Sequence, residues 1–187
     1  MPSKLIGLTG DTAGIGLAIR RELEDSGHKV LGFSRSNGFD LSKQGTLPRI
    51  IEAVSDCDVF INNAAFAWQQ IELLFGLFEK WQPHERLIIN IGSNSSDQKK
   101  ESAHPYAIIK GALDSATLQL AYLKESRCRV TNLRPGWTNT KGIEGLKGDE
   151  PLLEPKEVAK VVAWIISSPE HIKIPSLTMV AHDFKKP

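Results

Sequence analysis

The stretch Leu5-Ile6-Gly7-Leu8-Thr9-Gly10-Asp11-Thr12-Ala13-Gly14-Ile15-Gly16 decides the fold of this 187-residue chain. Its first five residues form a run typical of a buried strand, and a helical pattern follows its glycines. Gly10 and Gly14 let the chain turn tightly and let its backbone approach a pyrophosphate at the helix N-terminus, where free N–H groups and the helix dipole favour anions. Gly16 lets the helix lie close to the sheet.

The spacing of these glycines does not by itself separate a binding site from a structural turn. It is Gly-x3-Gly-x-Gly, whereas the commoner dinucleotide pattern is Gly-x-Gly-x2-Gly. Its position between the first strand and the first helix is what favours a nucleotide site.

Short apolar runs alternate with amphipathic patterns along the rest of the chain. Continuous apolar runs are typical of parallel strands that are covered on both faces. Strands are predicted at residues 4–9, 29–34, 58–62, 86–91, 128–133 and 176–180, and helices at 15–25, 47–54, 66–80, 106–124 and 155–166. A further strand is reduced to little more than residues 38–40. The alternation predicts one α/β domain over residues 1–187, a Rossmann-type doubly wound parallel sheet of six or seven strands with helices on both faces.

Charge and composition argue against several classes of protein. Lys and Arg number 23 against 22 Asp and Glu, so the net charge of +1 gives no argument for a nucleic-acid or membrane partner. The short basic clusters are interpreted as solvated surface; they are Lys99-Lys100 and Lys185-Lys186. No apolar run approaches the roughly 18 residues that a membrane span needs, and no signal-peptide segment precedes the first strand, so we expect a cytoplasmic protein.

Cysteine and histidine spacing indicates neither a metal site nor a disulfide framework. Cys57 and Cys128 are far apart and belong to no Cys-x2-Cys pattern, which favours a reducing compartment. The five histidines show no paired ligand spacing and are interpreted as surface or capping residues.

The end of the second predicted strand indicates which nucleotide would bind. A carboxylate there would bind the ribose 2′-hydroxyl of NAD, but the sequence has Ser34 and Arg35 instead. The planar guanidinium of Arg35 suits a 2′-phosphate, and the alternative is an exposed loop arginine. The sequence therefore favours NADP(H) over NAD(H).

A serine, a tyrosine and a lysine form the candidate reaction centre. Ser93 follows a strand and so lies at the carboxyl edge of the sheet, where doubly wound folds bind ligands. Tyr106 and Lys110 are four residues apart on a predicted helix and share one face, with Pro105 suited to its first turn. An ammonium beside a phenol favours the phenolate, so we expect Lys110 to lower the pKa of Tyr106 and make it a general acid or base. The Tyr-x3-Lys spacing alone is a weak signal.

In combination these motifs resemble the short-chain dehydrogenase/reductase family over nearly the whole chain. The resemblance rests on Thr9-Gly10-x3-Gly14-x-Gly16, Asp40-Leu41, Asn62-Asn63-Ala64-Ala65, Asn90-Ile91-Gly92-Ser93 with the interval to Tyr106, and Pro135-Gly136-Trp137-Thr138-Asn139-Thr140. It implies that Tyr106 is the catalytic acid or base, that Lys110 binds the nicotinamide ribose and tunes Tyr106, and that Ser93 orients the substrate oxygen.

The resemblance also implies a function and a set of cofactor contacts. The function is hydride transfer between NADP(H) and a small carbonyl or alcohol, with pteridine or quinonoid reduction as a variant; the alternative is a catalytically weak or inactive NADP(H)-binding sensor or scaffold. Together with Ser34 and Arg35, the contacts are Gly10, Asp11, Thr12, Gly14, Ile15, Gly16, Asp40, Leu41, Asn63, Ala64, Tyr106, Lys110, Pro135, Gly136, Thr138 and Thr140.

The chain departs from the family pattern between Ala65 and Ser93, where only 27 residues intervene. About one helix is missing, and with it the asparagine that anchors a relay water in the family. Gln69 or Gln70 is a candidate substitute, although glutamine at helical spacing more often belongs to a solvated face. Ala65 stands where the family has glycine.

The missing helix also bears on assembly as a homodimer or homotetramer. An apolar patch on the predicted third helix is either core or subunit interface; it comprises Leu73, Leu74, Phe75, Leu77 and Phe78. The segment 138–154 is expected to supply much of the substrate pocket with Ile143 and Leu146, and Trp137 is either a stacking wall or a packed residue.

Overall fold

The computed structural model describes residues 2–97, 103–143 and 151–182, and within them six parallel strands form one sheet. The strands are β1 (Leu5–Thr9), β2 (Lys29–Phe33), β3 (Val59–Asn62), β4 (Leu87–Ile91), β5 (Arg129–Pro135) and β6 (Ser176–Met179). Their order across the sheet is β2-β1-β3-β4-β5-β6. Two predicted basic clusters and one predicted pocket residue lie outside the described part of the chain: Lys99-Lys100, Lys185-Lys186 and Leu146.

In the described parts of the chain, five α-helices cover the two faces of the sheet. They are α1 (Gly14–Asp25), α2 (Thr46–Ala53), α3 (Gln69–Trp81), α4 (Pro105–Ala121) and α5 (Pro155–Ser167). Helices α2, α3 and α4 pack on the face that carries Phe60 and Ile88, whereas α1 and α5 pack on the face that carries Ile61 and Ile89. Every residue of β3 and β4 is buried, because these central strands have helices on both sides. The predicted Rossmann-type doubly wound sheet is confirmed.

The largest differences between the structure and the sequence prediction are one absent strand and two shifted helix ends. Residues 38–40 are not a strand: Gly38 adopts a left-handed φ of 87° after a single 3-10 turn, and the Phe39 ring then lies 4.9 Å from the Phe33 ring. Helix α3 begins at Gln69 and not at residue 66, since Ala67 has a φ of 42° that interrupts a helix. Helix α4 ends at Ala121, three residues before its predicted end.

The apolar patch on α3 is mostly core. Leu73, Leu74 and Leu77 are fully buried and Phe78 nearly so, whereas Phe75 keeps 43% of its surface exposed. Within the described ranges, no helix has the length and apolar character needed to cross a membrane. The thiols of both cysteines are buried, which raises their pKa values.

Two neighbouring residues on α3 test this packing. Leu74→Ala should lower the free energy of unfolding by about 2–5 kcal/mol, because it leaves a cavity between α3 and the sheet. Phe75→Ala should cost less than about 1 kcal/mol, because much of that ring is already in water. Urea unfolding of the two variants and the wild type at one protein concentration measures both values. A loss for Phe75→Ala as large as that for Leu74→Ala would mean that another subunit covers Phe75.

Candidate functional site

The predicted site residues follow the carboxyl ends of neighbouring strands and therefore share one edge of the sheet. Gly10 follows β1, Ser34 follows β2, Asn63 follows β3, and Ser93 lies two residues after β4. The strand order reverses between β1 and β3, because β2 lies on one side of β1 and β3 on the other. Open α/β sheets bind ligands in the crevice at such a reversal.

The glycine turn is held in place by side chains from β1 and from the end of β3. Gly10 and Gly14 have φ values of 70° and 52°, which glycine adopts without strain. Asn63 Nδ2 donates to the carbonyl of Thr9 at 2.9 Å, and the Thr9 hydroxyl accepts from the backbone N–H of Asn63 at 2.9 Å. A Cβ at Gly16 would lie 2.0 Å from the Gly10 carbonyl oxygen. Gly16 is therefore required by the turn itself.

The N-terminus of α1 has the properties of an anion site. Its N-cap, Ala13, gives the helix no side-chain hydrogen bond, and no acidic residue lies in the first turn. The capping residue thus supplies no side-chain acceptor to the leading N–H groups, and the helix dipole favours negative charge there. Thr140 closes the turn from the other side, since a Cβ at Gly14 would lie 3.2 Å from its Cγ2. These features fit the pyrophosphate of a dinucleotide.

Three other predicted residues at the turn differ in their exposure to solvent. Thr12 is exposed at the turn, and Ile15 is half-buried in the first turn of α1. The carboxylate of Asp11 is buried, bonds Arg20 of α1, and lies so close to β2 that a Cβ at Gly32 would overlap it. The side chain of Asp11 therefore joins the turn to α1 and β2, and a cofactor contact from this residue would come from its backbone.

The end of β2 carries an accessible cation, Arg35. Arg35 is exposed in the 3-10 turn Arg35–Asn37, whereas Ser34 is only 7% exposed and its hydroxyl lies 2.9 Å from that of Ser36. Farther along, Asp40 accepts hydrogen bonds from the backbone and hydroxyl of Ser42, which lower the pKa of its carboxyl. Leu41 is buried, and Ala64 lies beside Gly10, where a Cβ on that glycine would come within 3.1 Å.

The segment after β5 returns toward the same edge. The backbone N–H of Gly136 donates to the Met179 carbonyl, so this residue after Pro135 stays tied to the edge strand β6. Thr138 is 5% exposed, and its hydroxyl donates to the Gly136 carbonyl at 3.0 Å. Trp137 is half-buried, and its carbonyl accepts from the N–H of Leu153.

Helix α4 brings Tyr106 and Ser93 together. Pro105 occupies the first turn as predicted, and His104 caps the helix by accepting from the N–H of Ala107 at 3.3 Å. The Tyr106 side chain is half-exposed and hydrogen-bonds Ser93. Burial raises the pKa of the phenol above its usual 10, and the contact with Ser93 offsets only part of that rise.

One turn along α4, Lys110 is 3% exposed. Its Nζ donates to Gln70 Oε1 at 2.8 Å and to the Ile91 carbonyl at 2.9 Å, and it lies 5.5 Å from the centre of the Tyr106 ring. Burial lowers the pKa of the ammonium from 10.5 to about 8, although the charge of Asp114 acts in the opposite direction. Lys110 is thus a cation close to the Tyr106 ring, and both groups that accept its hydrogen bonds are neutral.

Several known proteins are similar to this chain in sequence or in fold. No protein-family model matches the chain. The NADP-dependent 3-hydroxy acid dehydrogenase YdfG of Salmonella typhi is 23% identical over 92% of this chain and 93% of the relative. Dehydrogenase/reductase SDR family member 11 of Bos taurus is 27% identical over the same shares of the two chains. The solved closed form of serine dehydrogenase complexed with NADP+ superposes with a TM-score of 0.80 at 21% identity, covering 94% of each chain.

Over nearly its whole length the chain is similar to proteins of the short-chain dehydrogenase/reductase family. The alignment with YdfG runs over 233 positions, more than the 187 residues of this chain, so the relative has residues that this chain lacks. In the parts of the chain that the structure describes, no three His, Cys, Asp or Glu side chains cluster as a metal site would require.

One expectation drawn from the sequence is wrong, and one of the two alternatives for Gln70 is excluded. The pKa of Tyr106 is raised and not lowered, because burial outweighs the lowering effect of the hydrogen bond with Ser93. Gln70 does not belong to a solvated face: it is 1% exposed and lies against Lys110, whereas its neighbour Gln69 is half-buried. Glutamine at helical spacing carries no signal that distinguishes these two positions.

Sequence reasoning also missed the polar group that supports Ser93. The Ser96 hydroxyl lies 3.2 Å from the Ser93 carbonyl and 2.6 Å from Asp114 Oδ2. Arg134 of β5 forms ion pairs with Asp114 and with Asp97. The only sequence signal was the spacing of Lys110 and Asp114, one turn apart on α4. These side chains fix the segment that carries Ser93 to α4 and β5.

The buried ammonium of Lys110 should make stability depend on pH. Below about pH 8 the folded protein must hold a buried charge, whereas between about pH 8 and 10.5 the unfolded chain keeps a proton that the folded state has lost. The free energy of unfolding of the wild type should therefore rise relative to that of Lys110→Met, by about 3 kcal/mol between pH 7 and pH 10.5. Urea unfolding of both proteins across this range measures the difference. Lys160→Met, on the exposed face of α5, is the control, because its unfolding free energy should follow that of the wild type at every pH. If the difference between the wild type and Lys110→Met is also independent of pH, the buried charge is contradicted.

Proposed function

We propose that this protein is an NADP(H)-dependent oxidoreductase that reduces a small carbonyl compound or, in reverse, oxidises an alcohol. The observation that carries the proposal is the grouping of Ser93, Tyr106 and Lys110 at the sheet edge that also holds the glycine turn. A protein that only binds a nucleotide has no need of a phenol beside a buried ammonium. The grouping therefore favours turnover over a sensor or scaffold role.

The cofactor would occupy the crevice between the glycine turn and the segment after β5. The N-terminus of α1 suits its pyrophosphate, and exposed Arg35 suits a 2′-phosphate. The family resemblance assigns the nicotinamide carboxamide to the segment that contains Thr138 and Thr140. NADP dependence in the names of the similar dehydrogenases supports NADP(H) as the cofactor.

The bound nicotinamide would supply a hydride to the carbonyl carbon of the substrate. Tyr106 would donate its phenolic proton to the carbonyl oxygen, and the Ser93 hydroxyl would hold that oxygen by a hydrogen bond. The raised pKa of Tyr106 keeps this proton on the phenol at neutral pH, which is the state that reduction requires. The Lys110 cation, 5.5 Å from the ring centre, would stabilise the phenolate left after the transfer.

Removal of the phenol hydroxyl should abolish most of the turnover. Tyr106→Phe should lower kcat for NADPH-dependent carbonyl reduction by about 10²–10⁴-fold, because it removes the proton donor and leaves the ring. Tyr122→Phe is the matched control, since the only other tyrosine in the chain is 68% exposed at the end of α4. NADPH consumption is measured with aldehydes, ketones, pteridines and quinones, and NADPH binding is measured for each protein.

A wild type that binds NADPH but turns over no compound would favour the sensor or scaffold alternative. Equal turnover by Tyr106→Phe and the wild type would contradict the assigned role of the phenol.

The cofactor preference depends on Arg35. Arg35→Ala should weaken NADPH binding by about 10- to 100-fold, because a charge-assisted hydrogen bond to the 2′-phosphate is lost. NADH binding should hardly change, because NADH has no phosphate at that position. Fluorescence titration measures the dissociation constants of NADPH and NADH for the wild type and for Arg35→Ala. Arg21→Ala, which removes an exposed arginine of α1, is titrated with both cofactors as the control. An equal loss of NADH and NADPH affinity would contradict a 2′-phosphate contact.

A further inference from the structure

Gln70 lies in the first turn of α3 and is the residue of that helix most closely tied to the candidate reaction centre. It is 1% exposed, and its Nε2 donates to the Asn62 carbonyl at 2.6 Å and to the Ile91 carbonyl at 3.1 Å. Its Oε1 accepts from Lys110 Nζ at 2.8 Å. Both ends of the amide therefore have partners, and the side chain joins β3, β4 and α4.

The backbone of Gln70 is fixed as well as its side chain. Asn62 Nδ2 donates to the Gln70 carbonyl at 2.7 Å and to Asn90 Oδ1 at 3.0 Å. Asn90 Nδ2 in turn donates to the Thr117 hydroxyl of α4 at 3.0 Å. The amide thus belongs to a buried polar chain that holds its position, and a rotation of Gln70 would break bonds on three elements.

These contacts limit what the Lys110 ammonium can do. Of its three N–H bonds, one points to Gln70 and one to the Ile91 carbonyl, which leaves one for a partner on the side of Tyr106. Both acceptors are neutral, so neither cancels the positive charge. The amide of Gln70 has no proton to give up at neutral pH, so it can hold the ammonium but cannot pass a proton to it.

We propose that Gln70 is a positioning residue of the reductase, which directs the third N–H of Lys110 toward Tyr106 and the cofactor ribose and keeps the ammonium free of any contacting carboxylate. This role rests on the proposed function of Tyr106 and Lys110. Gln70 belongs to α3 and contacts Lys110 directly. The short connection between β3 and α3 brings the first turn of α3 close enough to the lysine for this contact. Only residues 63–68 separate the two elements.

Other charged groups near Lys110 are the same in every variant that tests the proposal. Tyr106 and Asp114 face Lys110 from α4 itself, and Arg134 of β5 pairs with Asp114 and with Asp97. The polar side chains contributed by β3 and β4 are neutral amides, Asn62 and Asn90. A change at position 70 therefore alters one direct contact of the ammonium and leaves these charged groups in place. Both variants also remove the Nε2 donor to the Asn62 and Ile91 carbonyls, so this loss is common to them.

Two substitutions at this position should move the pKa of Lys110 in opposite directions. Gln70→Glu puts a carboxylate against the ammonium and should raise that pKa by about one unit or more. Gln70→Met removes an acceptor without adding charge and should lower it. The pKa is measured on the free protein by NMR of labelled lysine side chains, with the Lys110 signal assigned by its absence from Lys110→Met. Gln119→Glu, which adds the same charge on the exposed face of α4, is the control, and circular dichroism verifies that each variant is folded.

The kinetic measurement asks whether the tuning serves the reaction. The alkaline limb of the kcat profile should follow the pKa of Lys110 in both variants. Gln70→Glu should also lower kcat about ten-fold at neutral pH, because the carboxylate cancels the charge that stabilises the phenolate. KM for the carbonyl substrate should change little, whereas a merely structural role would move the melting temperature and leave the pH profile in place.

The outcomes separate this proposal from the proposed function. An unchanged Lys110 titration in both variants, or a changed titration without any movement of the kcat profile, would overturn the positioning role. A wild type with no turnover would overturn the proposed function, and the NMR titration would still decide whether Gln70 controls Lys110.

Discussion

A positive charge buried beneath the sheet edge constrains the arrangement of the surrounding elements. Removing an ammonium from water costs several kcal/mol unless hydrogen bonds replace the lost hydration, and Lys110 obtains them from Gln70 and from the Ile91 carbonyl. These acceptors come from α3 and β4, so the two elements must meet α4 at one point. The hydrogen bonds between Asn62, Asn90 and Thr117 extend the same polar layer below it. The layer crosses a face whose other buried contacts are mostly apolar, and it fixes the register of α3 and α4 on the sheet more strictly than hydrophobic contacts would.

The short connection from β3 to α3 explains how a small chain keeps this arrangement. Ala67 adopts a left-handed conformation that ends the loop, and α3 begins two residues later with its first turn above β3 and β4. The side chain of Gln70 therefore contacts Lys110 directly. The apolar side chains one and two turns along, Leu73 and Leu77, then pack on the sheet. One helix thus supplies both the polar contact at the edge and a large part of the core behind it.

The alternation of apolar runs and amphipathic stretches predicted nearly all of the fold. Each central strand is covered on both faces, so its sequence is a continuous apolar run that is easily distinguished from the amphipathic helices. It predicted the positions of Ser93 and Tyr106 for a related reason, since strand ends and helix starts carry local signals such as Gly92 and Pro105. It did not predict the buried contact of Gln70 or the raised pKa of Tyr106. Both depend on which side chains meet across elements distant in sequence, and no local pattern contains that information. The left-handed Ala67 was also invisible, because alanine has no preference for that conformation.

The opposite shifts of the two groups on α4 have one physical origin. Burial disfavours charge, so it raises the pKa of the Tyr106 phenol and lowers that of the Lys110 ammonium. At neutral pH the phenol keeps its proton and most Lys110 side chains keep their charge, which is the combination that a proton donor to a carbonyl oxygen needs. Above about pH 8 the ammonium loses its proton while the phenol retains its own, so the phenolate would form without a cation beside it. The protonated phenol and the charged ammonium therefore coexist mainly below about pH 8. In the proposed reaction, proton donation by Tyr106 would depend on this combination, so the two shifts set a pH range for the site and leave the direction of the reaction to the overall equilibrium.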